Sequence, residues 1–457
     1  MVQDRLLFHS TNLRSPETSF REALLNGLAP DGGLYMPSTI PVFKAGELDL
    51  FPAKEYHEIA ASVLEKFTGN VIESTRLKPM CADAYNFEIP IERVYNRCYV
   101  MRLDQGPTAS FKDFAARMMG RMMQYFLAGD ERNLTILTAT SGDTGSAVAN
   151  AFHGLDNIRV VILFPADEVT SLQRKQMTTL RDNIRVIAVS GKFDDCQQLV
   201  KKAFTDPLLT DLNLSSANSI NIGRLLPQII YYFYAWSRVS GKQDDPVVFS
   251  VPSGNFGNLM GGLLARKMGL PVRKFVVATN SNDEVPVYLE TGIYRKISPS
   301  IDCISSAMNV GHPGNLPRLV ALYGGVMDEA GNIVRTPDLT KMREDIFATS
   351  VSDTETRETI RECHRQSGLL LEPHGAVAWK GLQRYLHQCK LSEPENRICI
   401  ALETAHPAKF HQEISRLLGV TPPFPESLSK VECEKEDFLS FENNYHIFRD
   451  FLRKNYK

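Results

Sequence analysis

The sequence predicts an α/β protein built on parallel sheets, and three observations carry that prediction. From about residue 100, short β-branched or apolar runs alternate with amphipathic stretches, the pattern of strands that return to one sheet through crossover helices. Two of those runs end in a glycine-containing turn that opens a helix, which is where such sheets take their ligands. The chain has no internal repeat and no low-complexity tract, so nothing competes with that reading.

The elements follow in order. Residues 28–42, LAPDGGLYMPSTIPV, are rich in Gly and Pro and read as loop. Residues 54–79 read as helix, with Ile59, Val63, Leu64 and Phe67 on one face. The first hundred residues are therefore expected to form a helical extension ahead of the main body. LTILTAT (134–140) precedes SGDTG and a helical SAVANAF; RVVILFP (159–165) precedes TSLQRKQMTTL; IRVIAVS (184–190) precedes a helical segment around CQQLVKKAF. PVVFSVP (246–252) precedes SGNFGN and LMGGLLARKMG, RKFVVATN (273–280) follows, and RICIALET (397–404) comes much later. The Pro-rich, charged tail after about 420, with a short amphipathic piece behind it, is expected to pack on the surface.

Composition narrows the classes of function. A chain of 457 residues, 43% hydrophobic and 23% charged, is expected to fold into two or three domains. Its net charge of −2 supplies no electrostatic reason to expect nucleic acid or an anionic membrane as partner. No run reaches the roughly 20 apolar residues of a membrane span, and the N-terminus carries no signal-like apolar run. Eight scattered cysteines without a C-x-x-C read as reduced thiols of a cytoplasmic protein. The ten histidines show no zinc-ligand spacing, so no metal site is expected.

Two loops and one lysine carry the chemistry. In VVFSVPSGNFGNLMGGLLARK an apolar strand ends at Pro252, and a turn over Ser253, Gly254, Asn255, Phe256, Gly257 and Asn258 opens a helix. Amides at a helix N-terminus favour an anion, so the turn reads equally as a phosphate cradle or as a ligand-free connection. It is not a P-loop, since no Gly-Lys-Ser/Thr follows. In TILTATSGDTGSAVANAF, Ser141, Thr144 and the amides from Gly142 to Gly145 could hold a carboxylate; Asp143 would oppose it unless turned away, and helix capping is the plainer reading. Lys112, in GPTASFKDFAARMMGRMMQYFLAG, stands just before a helix whose Phe114, Met118, Met122 and Phe126 form an apolar stripe. A lysine there is usually solvated surface, whereas a desolvated one can form a Schiff base with an aldehyde cofactor. Spacing alone does not decide.

The ordered motifs do. SFKDFAAR, TATSGDTGSAVA, SANSINIGR, VPSGNFGNLMGG, EPHGAVA and ETAHPAKF, preceded by FREALLNGLAPDGGLYMPSTIP, together resemble threonine synthase of the fold type II pyridoxal-phosphate enzymes, from about residue 5 to 420. The resemblance implies two parallel-sheet subdomains of the tryptophan synthase β-like architecture. Residues 1–100 would be the N-terminal extension, 101–235 the half carrying Lys112 and the SGDTG loop, 236–425 the half carrying the SGNFGN loop and Thr404, and 426–457 the tail, with the chain free to cross between halves. It implies that Lys112 bears pyridoxal 5'-phosphate, that Gly254, Asn255, Phe256, Gly257 and Asn258 hold the cofactor's phosphate, and that Thr404 faces its ring nitrogen. It puts Ser141, Gly142, Asp143 and Thr144 on the substrate-carboxylate loop, and makes Asn218, Ser219, Asn221 and Arg224 substrate-side residues, with a structural ion pair as the plainer reading of Arg224. Many relatives of the wider fold carry Asn in that loop; Asp143 stands here instead, as is usual for threonine synthases, and its role stays open. His374 and His406 are read as loop-orienting helpers, and Lys409 as a second cation near phosphate.

The implied reaction converts O-phospho-L-homoserine and water to L-threonine and phosphate. Lys112 would take the Cα and then the Cβ proton, phosphate would leave from Cγ, Cγ would be protonated, and water would add at Cβ. The competing reading is a phospho-lyase that yields a 2-oxo acid, ammonia and phosphate; a further one is a binding protein that keeps the fold without catalysis. A monomer or a homodimer is expected.

Overall fold

The computed structural model describes residues 6–129, 133–140, 142–240, 245–389 and 397–457. Two sheets organise them, as the alternation of strands and helices predicts. The larger has six strands in the order 346–350, 272–279, 247–252, 398–403, 98–102, 91–95. All its neighbours are parallel except the outermost pair, where Ile91–Tyr95 runs antiparallel to Cys98–Arg102. The smaller has five parallel strands in the order 439–442, 184–190, 158–165, 134–139, 214–215. The chain thus begins the larger sheet, leaves to build the smaller one, and returns at Val247.

Burial on both faces explains the strand sequences. Leu134–Ala139, Val247–Pro252 and Ile398–Glu403 are buried at every position. Covered by helices above and below, they read as continuous apolar runs rather than as polar–apolar alternation.

The N-terminal part differs in detail from the expectation. Phe8–Ser10 and Tyr35–Pro37 pair as a short antiparallel ribbon, so part of the Gly/Pro-rich stretch is strand. The stretch 54–79 contains two helices, Tyr56–Thr68 and Ser74–Ala84, because Gly69 ends the first with a φ of 50°, a sign of φ that glycine adopts without penalty. Ile59, Val63, Leu64 and Phe67 are buried as the periodicity requires. This part rests on the helix Lys112–Leu127: the Tyr56 and Tyr85 rings pack on Phe114, and the Tyr85 hydroxyl donates to the Phe114 carbonyl at 3.1 Å.

Phe114, Met118 and Met122 of the Lys112 helix are fully buried, and Met119 and Met123 with them; Phe126 is only partly so. Each such side chain contributes roughly 1.5–3 kcal/mol relative to exposure, so the helix that follows Lys112 is clamped from two sides.

The tail packs on the surface, as expected, with most of residues 421–457 exposed or half-buried, and it does so as regular elements. Leu439–Glu442 adds a parallel edge strand beside Ile184–Ser190, and Tyr445–Tyr456 lays Phe448 and Leu452 into the core beneath that sheet. Among the described residues no helix is long and apolar enough to cross a membrane.

Candidate active site

The candidate site gathers at the carboxyl ends of strands from both sheets. Cys98–Arg102 and Ile398–Glu403 are neighbours, and the segments beyond them stay paired. Leu103 N donates to Glu403 O at 3.0 Å, Phe111 N to Thr404 O at 2.9 Å, and His406 N to Ala109 O at 3.0 Å. This stitching sets Lys112 next to the Thr404 segment although about 290 residues separate them in sequence. The loop before Lys112 is folded by Asp113, whose buried carboxylate accepts the Thr108 amide at 2.8 Å and the Thr108 hydroxyl at 2.6 Å.

Lys112 faces a small charged cluster. Its Nζ lies 3.7 Å from Asp143 Oδ2. The other oxygen, Asp143 Oδ1, accepts from Lys409 Nζ at 2.8 Å and from Gln173 Nε2 at 3.0 Å. Asp143 follows a strand of the smaller sheet and Lys409 a strand of the larger, so this pair bridges the two halves. The Lys409 side chain is 1% exposed and that of Lys112 16%, which leaves Lys112 as the amine open to an incoming molecule. Burial works against the charge of Asp143, yet Lys409 and then Lys112 hold its carboxyl well below the usual range. Burial lowers the pKa of Lys112; Asp143 opposes that, and the like charges of Lys409 and Arg224 add to it. These are the conditions under which an amine serves as nucleophile and base.

The SGNFGN turn has the features of an anion cradle. Phe256 adopts a left-handed φ of 61° at the cap of the helix Gly257–Lys267. Among the described residues, the amides of Gly254, Asn255, Phe256, Gly257 and Asn258 find no protein acceptor. The Asn258 side chain spends its Oδ1 on the Tyr231 and Tyr232 hydroxyls, at 2.7 Å each, while its buried Nδ2 has no partner. A side chain at Gly254 would meet the backbone of Met308, with Cβ 2.7 Å from its Cα. Unpaired amides at a helix start, together with a buried orphan donor, fit the phosphate of a cofactor. Asn255 is fixed from outside the turn: its Nδ2 donates to Ser219 Oγ at 2.7 Å, its Oδ1 accepts from the Gly314 amide, and its carbonyl accepts Asn315 Nδ2 at 3.0 Å.

The other anticipated residues fall into two groups. Gly142, Asp143 and Thr144 open the helix Asp143–Phe152, with the Thr140 hydroxyl accepting the Gly142 and Gly145 amides at 2.9 and 2.8 Å. Ser141 lies outside the described residues. Asn218 is partly buried with an unpartnered Oδ1, and Thr404 is buried. Arg224 makes no ion pair among the described residues: one nitrogen donates to the Ala217 carbonyl at 2.7 Å, Nε is buried without a partner, and burial brings the guanidinium down to about 10. Ser219 serves Asn255. The Asn221 side chain is used up within the protein, donating to Leu24 O and Ser216 O at 2.9 Å each and accepting the Gly223 amide at 2.8 Å.

Both histidines hold loops. His374 Nδ1 meets Glu372, and its Nε2 accepts the Ala307 amide at 3.1 Å, fixing the segment that backs Gly254. His406 Nδ1 accepts the Ala408 amide at 3.1 Å in the turn that carries Lys409. Sequence reasoning missed Gln173, Asn315 and Arg318. Arg318 is fully buried and donates to Tyr35 O at 3.1 Å, Ile220 O at 2.6 Å and Asn315 Oδ1 at 2.7 Å, tying the N-terminal ribbon to the loops around Asn255. No motif in the sequence marks it, since its partners are mostly carbonyls that any residue supplies.

Comparison with known proteins agrees along the whole chain. Residues 89–403 match the family described as pyridoxal-phosphate dependent enzyme, residues 7–85 the threonine synthase N terminus and residues 376–452 the threonine synthase C-terminal family. Threonine synthase of Haemophilus influenzae is 42% identical over 97% of this chain and 99% of its own length. The Escherichia coli enzyme is 40% identical over 91% of each. Among solved structures, pyridoxal-phosphate-bound threonine synthase from Brucella melitensis superposes with a TM-score of 0.91 at 35% identity, covering 99% of this chain and 100% of that one. The structure of the Escherichia coli enzyme gives 0.86 at 36% identity, covering 98% and 100%.

Proposed function

The chain belongs to the threonine synthase family of pyridoxal-phosphate-dependent enzymes, and from that membership we propose how its own residues divide the work. The enzyme is a lyase that converts O-phospho-L-homoserine and water to L-threonine and phosphate. Lys112 bears the cofactor; the amides from Gly254 to Asn258, with Asn258 Nδ2, receive its phosphate; Thr404 faces its ring nitrogen. When bound, the cofactor supplies an electron sink conjugated to the substrate's Cα. The freed amine of Lys112, with its lowered pKa, takes the proton from Cα and then the one from Cβ. The amides that open the helix at Asp143 and Thr144 accept the substrate carboxylate, with Asp143 neutralised by Lys409. Arg224, buried and with Nε unpaired, receives the substrate's phosphate, for which a planar fork of donors is suited. Asn218 lies with it on the substrate side. Ser219 and Asn221 act indirectly, by fixing the turn and the loop. The partner is this small molecule, in a monomer or homodimer. A cytoplasmic setting accords with eight cysteines that are all free.

The observation that carries the reading is Lys112: a lysine with a partly exposed side chain, held beside a buried ion pair that joins the two halves. Purified protein given O-phosphohomoserine is expected to release threonine and phosphate in equal amounts. Accumulation of 2-oxobutyrate and ammonia in their place would return the phospho-lyase reading. Lys112→Ala is expected to lose turnover by on the order of 10³-fold and to show no cofactor attached after borohydride reduction; attachment that survives the substitution would displace Lys112 from its role.

A further inference from the structure

The cluster around Lys112 holds more positive charge than negative. Asp143 is a single carboxylate with two ammonium groups in reach, Lys409 Nζ at 2.8 Å and Lys112 Nζ at 3.7 Å. The two amines are not equivalent. Lys409 is sealed at 1% exposure, its turn is fixed by His406, and it pairs directly with Asp143, with the buried Asp113 acting on it from farther off. The Lys112 side chain keeps 16% exposure and its Nζ stands beyond hydrogen-bond distance of the same carboxylate. The groups that face Lys112 are Asp143 from the helix Asp143–Phe152, Lys409 from the turn Pro407–Phe410, Arg224 from the turn Ile222–Leu225, and the ring of Phe111, whose centroid is 5.7 Å from Nζ. Asp113, next in sequence, is buried in the same cluster and acts on Lys409 and Arg224, while burial raises its own pKa; with Lys409, Arg224 and Lys112 itself against Asp143 and Asp113, cations still outnumber anions. A carboxylate shared unequally stabilises the nearer, sealed cation and leaves the farther one the cheaper to discharge.

We propose that Lys409 is a positioning residue: by occupying Asp143 it keeps that carboxylate from pairing fully with Lys112, and so holds the Lys112 amine unprotonated and ready to attack or to take a proton. This rests on Lys112 being the cofactor-bearing lysine. It gives Asp143 a definite task, since an asparagine there would neither anchor a buried lysine nor carry charge between the two halves.

The test mixes cofactor-free full-length protein with pyridoxal 5'-phosphate across a range of pH and follows the growth of the cofactor's visible band, whose rate reports the unprotonated fraction of Lys112. Lys409→Met is expected to raise the midpoint of that profile by about one pH unit or more, because Asp143 then pairs with Lys112 alone. Asp143→Asn is expected to lower it, and Lys409→Arg to leave it within about half a unit. A merely structural role would not move the first two in opposite directions. Should Lys409→Met fail to fold, the substitution is made in the Asp143→Asn background, where it removes a buried cation left without a partner and is still expected to raise the midpoint above that of Asp143→Asn alone. Midpoints that stay put or move together in well-folded variants overturn the proposal. Band growth that persists in Lys112→Ala overturns instead the assignment of Lys112 on which it rests.

Discussion

At the scale of single residues, Glu403 shows what burial does to a carboxyl beside the site. Its Oε1 accepts the Glu372 amide at 2.8 Å, and its Oε2 has no partner. Burial, and after it the neighbouring Glu372 carboxylate, push its pKa well above the usual range. The folded-state value then exceeds the unfolded one of about 4.3, so the folded state holds the proton more tightly. The resulting stability is fully present below the unfolded pKa and is lost as pH rises through the folded one. Glu403→Gln is expected to flatten the melting temperature against pH between the ordinary carboxylate range and neutrality, with the variant at least as stable as the parent at neutral pH. Melts that keep the parent's slope would show that Glu403 is ionised in the fold. Such residues mark the limit of what a sequence discloses. Lys112 was legible because it sits in an ordered set of motifs; Lys409 could be named, but its hold on Asp143 spans 266 positions and no spacing announces it.

At the scale of elements, the strand–turn–helix units were legible because glycine and helix-start chemistry are local. What sequence could not supply is the backing of each turn. The SGNFGN turn is held by Ser219, Gly314 and Asn315, and behind them by Arg318; these come from loops with no periodicity of their own. The closeness of Met308 to Gly254 gives a direct test. Gly254→Ala would press Cβ to 2.7 Å from the Met308 Cα, backbone that His374 holds in place through Ala307. Cofactor affinity is expected to fall about ten-fold or more, equivalent to roughly 1.4 kcal/mol, as measured by fluorescence titration of the cofactor. Unchanged affinity would mean that the turn and the 305–309 segment move apart freely.

At the scale of the whole molecule, the parallel sheets and the tail's place on the surface were anticipated, while two strand assignments were not: Cys98–Arg102, just ahead of Lys112, lies in the larger sheet beside Ile398–Glu403, and the tail supplies an edge strand to the smaller one. The strand Leu439–Glu442 is short and flanked by charge, so it carried no strand signal; its identity comes from the edge it completes. Ending the chain after residue 436 is expected to bare the edge of Ile184–Ser190 and the apolar bed of Phe448 and Leu452. An unpaired edge of that kind recruits other chains, so light scattering on mild warming should rise well before that of the full-length protein; equal scattering would show the tail to be dispensable. The stitching of the Lys112 loop to residues 404–406 has a consequence in time. At about 5–20 residues per second, a ribosome that has just made Lys112 needs roughly 15–60 s to reach the segment that seats it. Through that interval Lys112 is an ordinary lysine on an unfinished chain. Its seat beside Thr404 and Lys409 can form only when synthesis is nearly complete, so the charged cluster around it is assembled late, after most of the chain has been made.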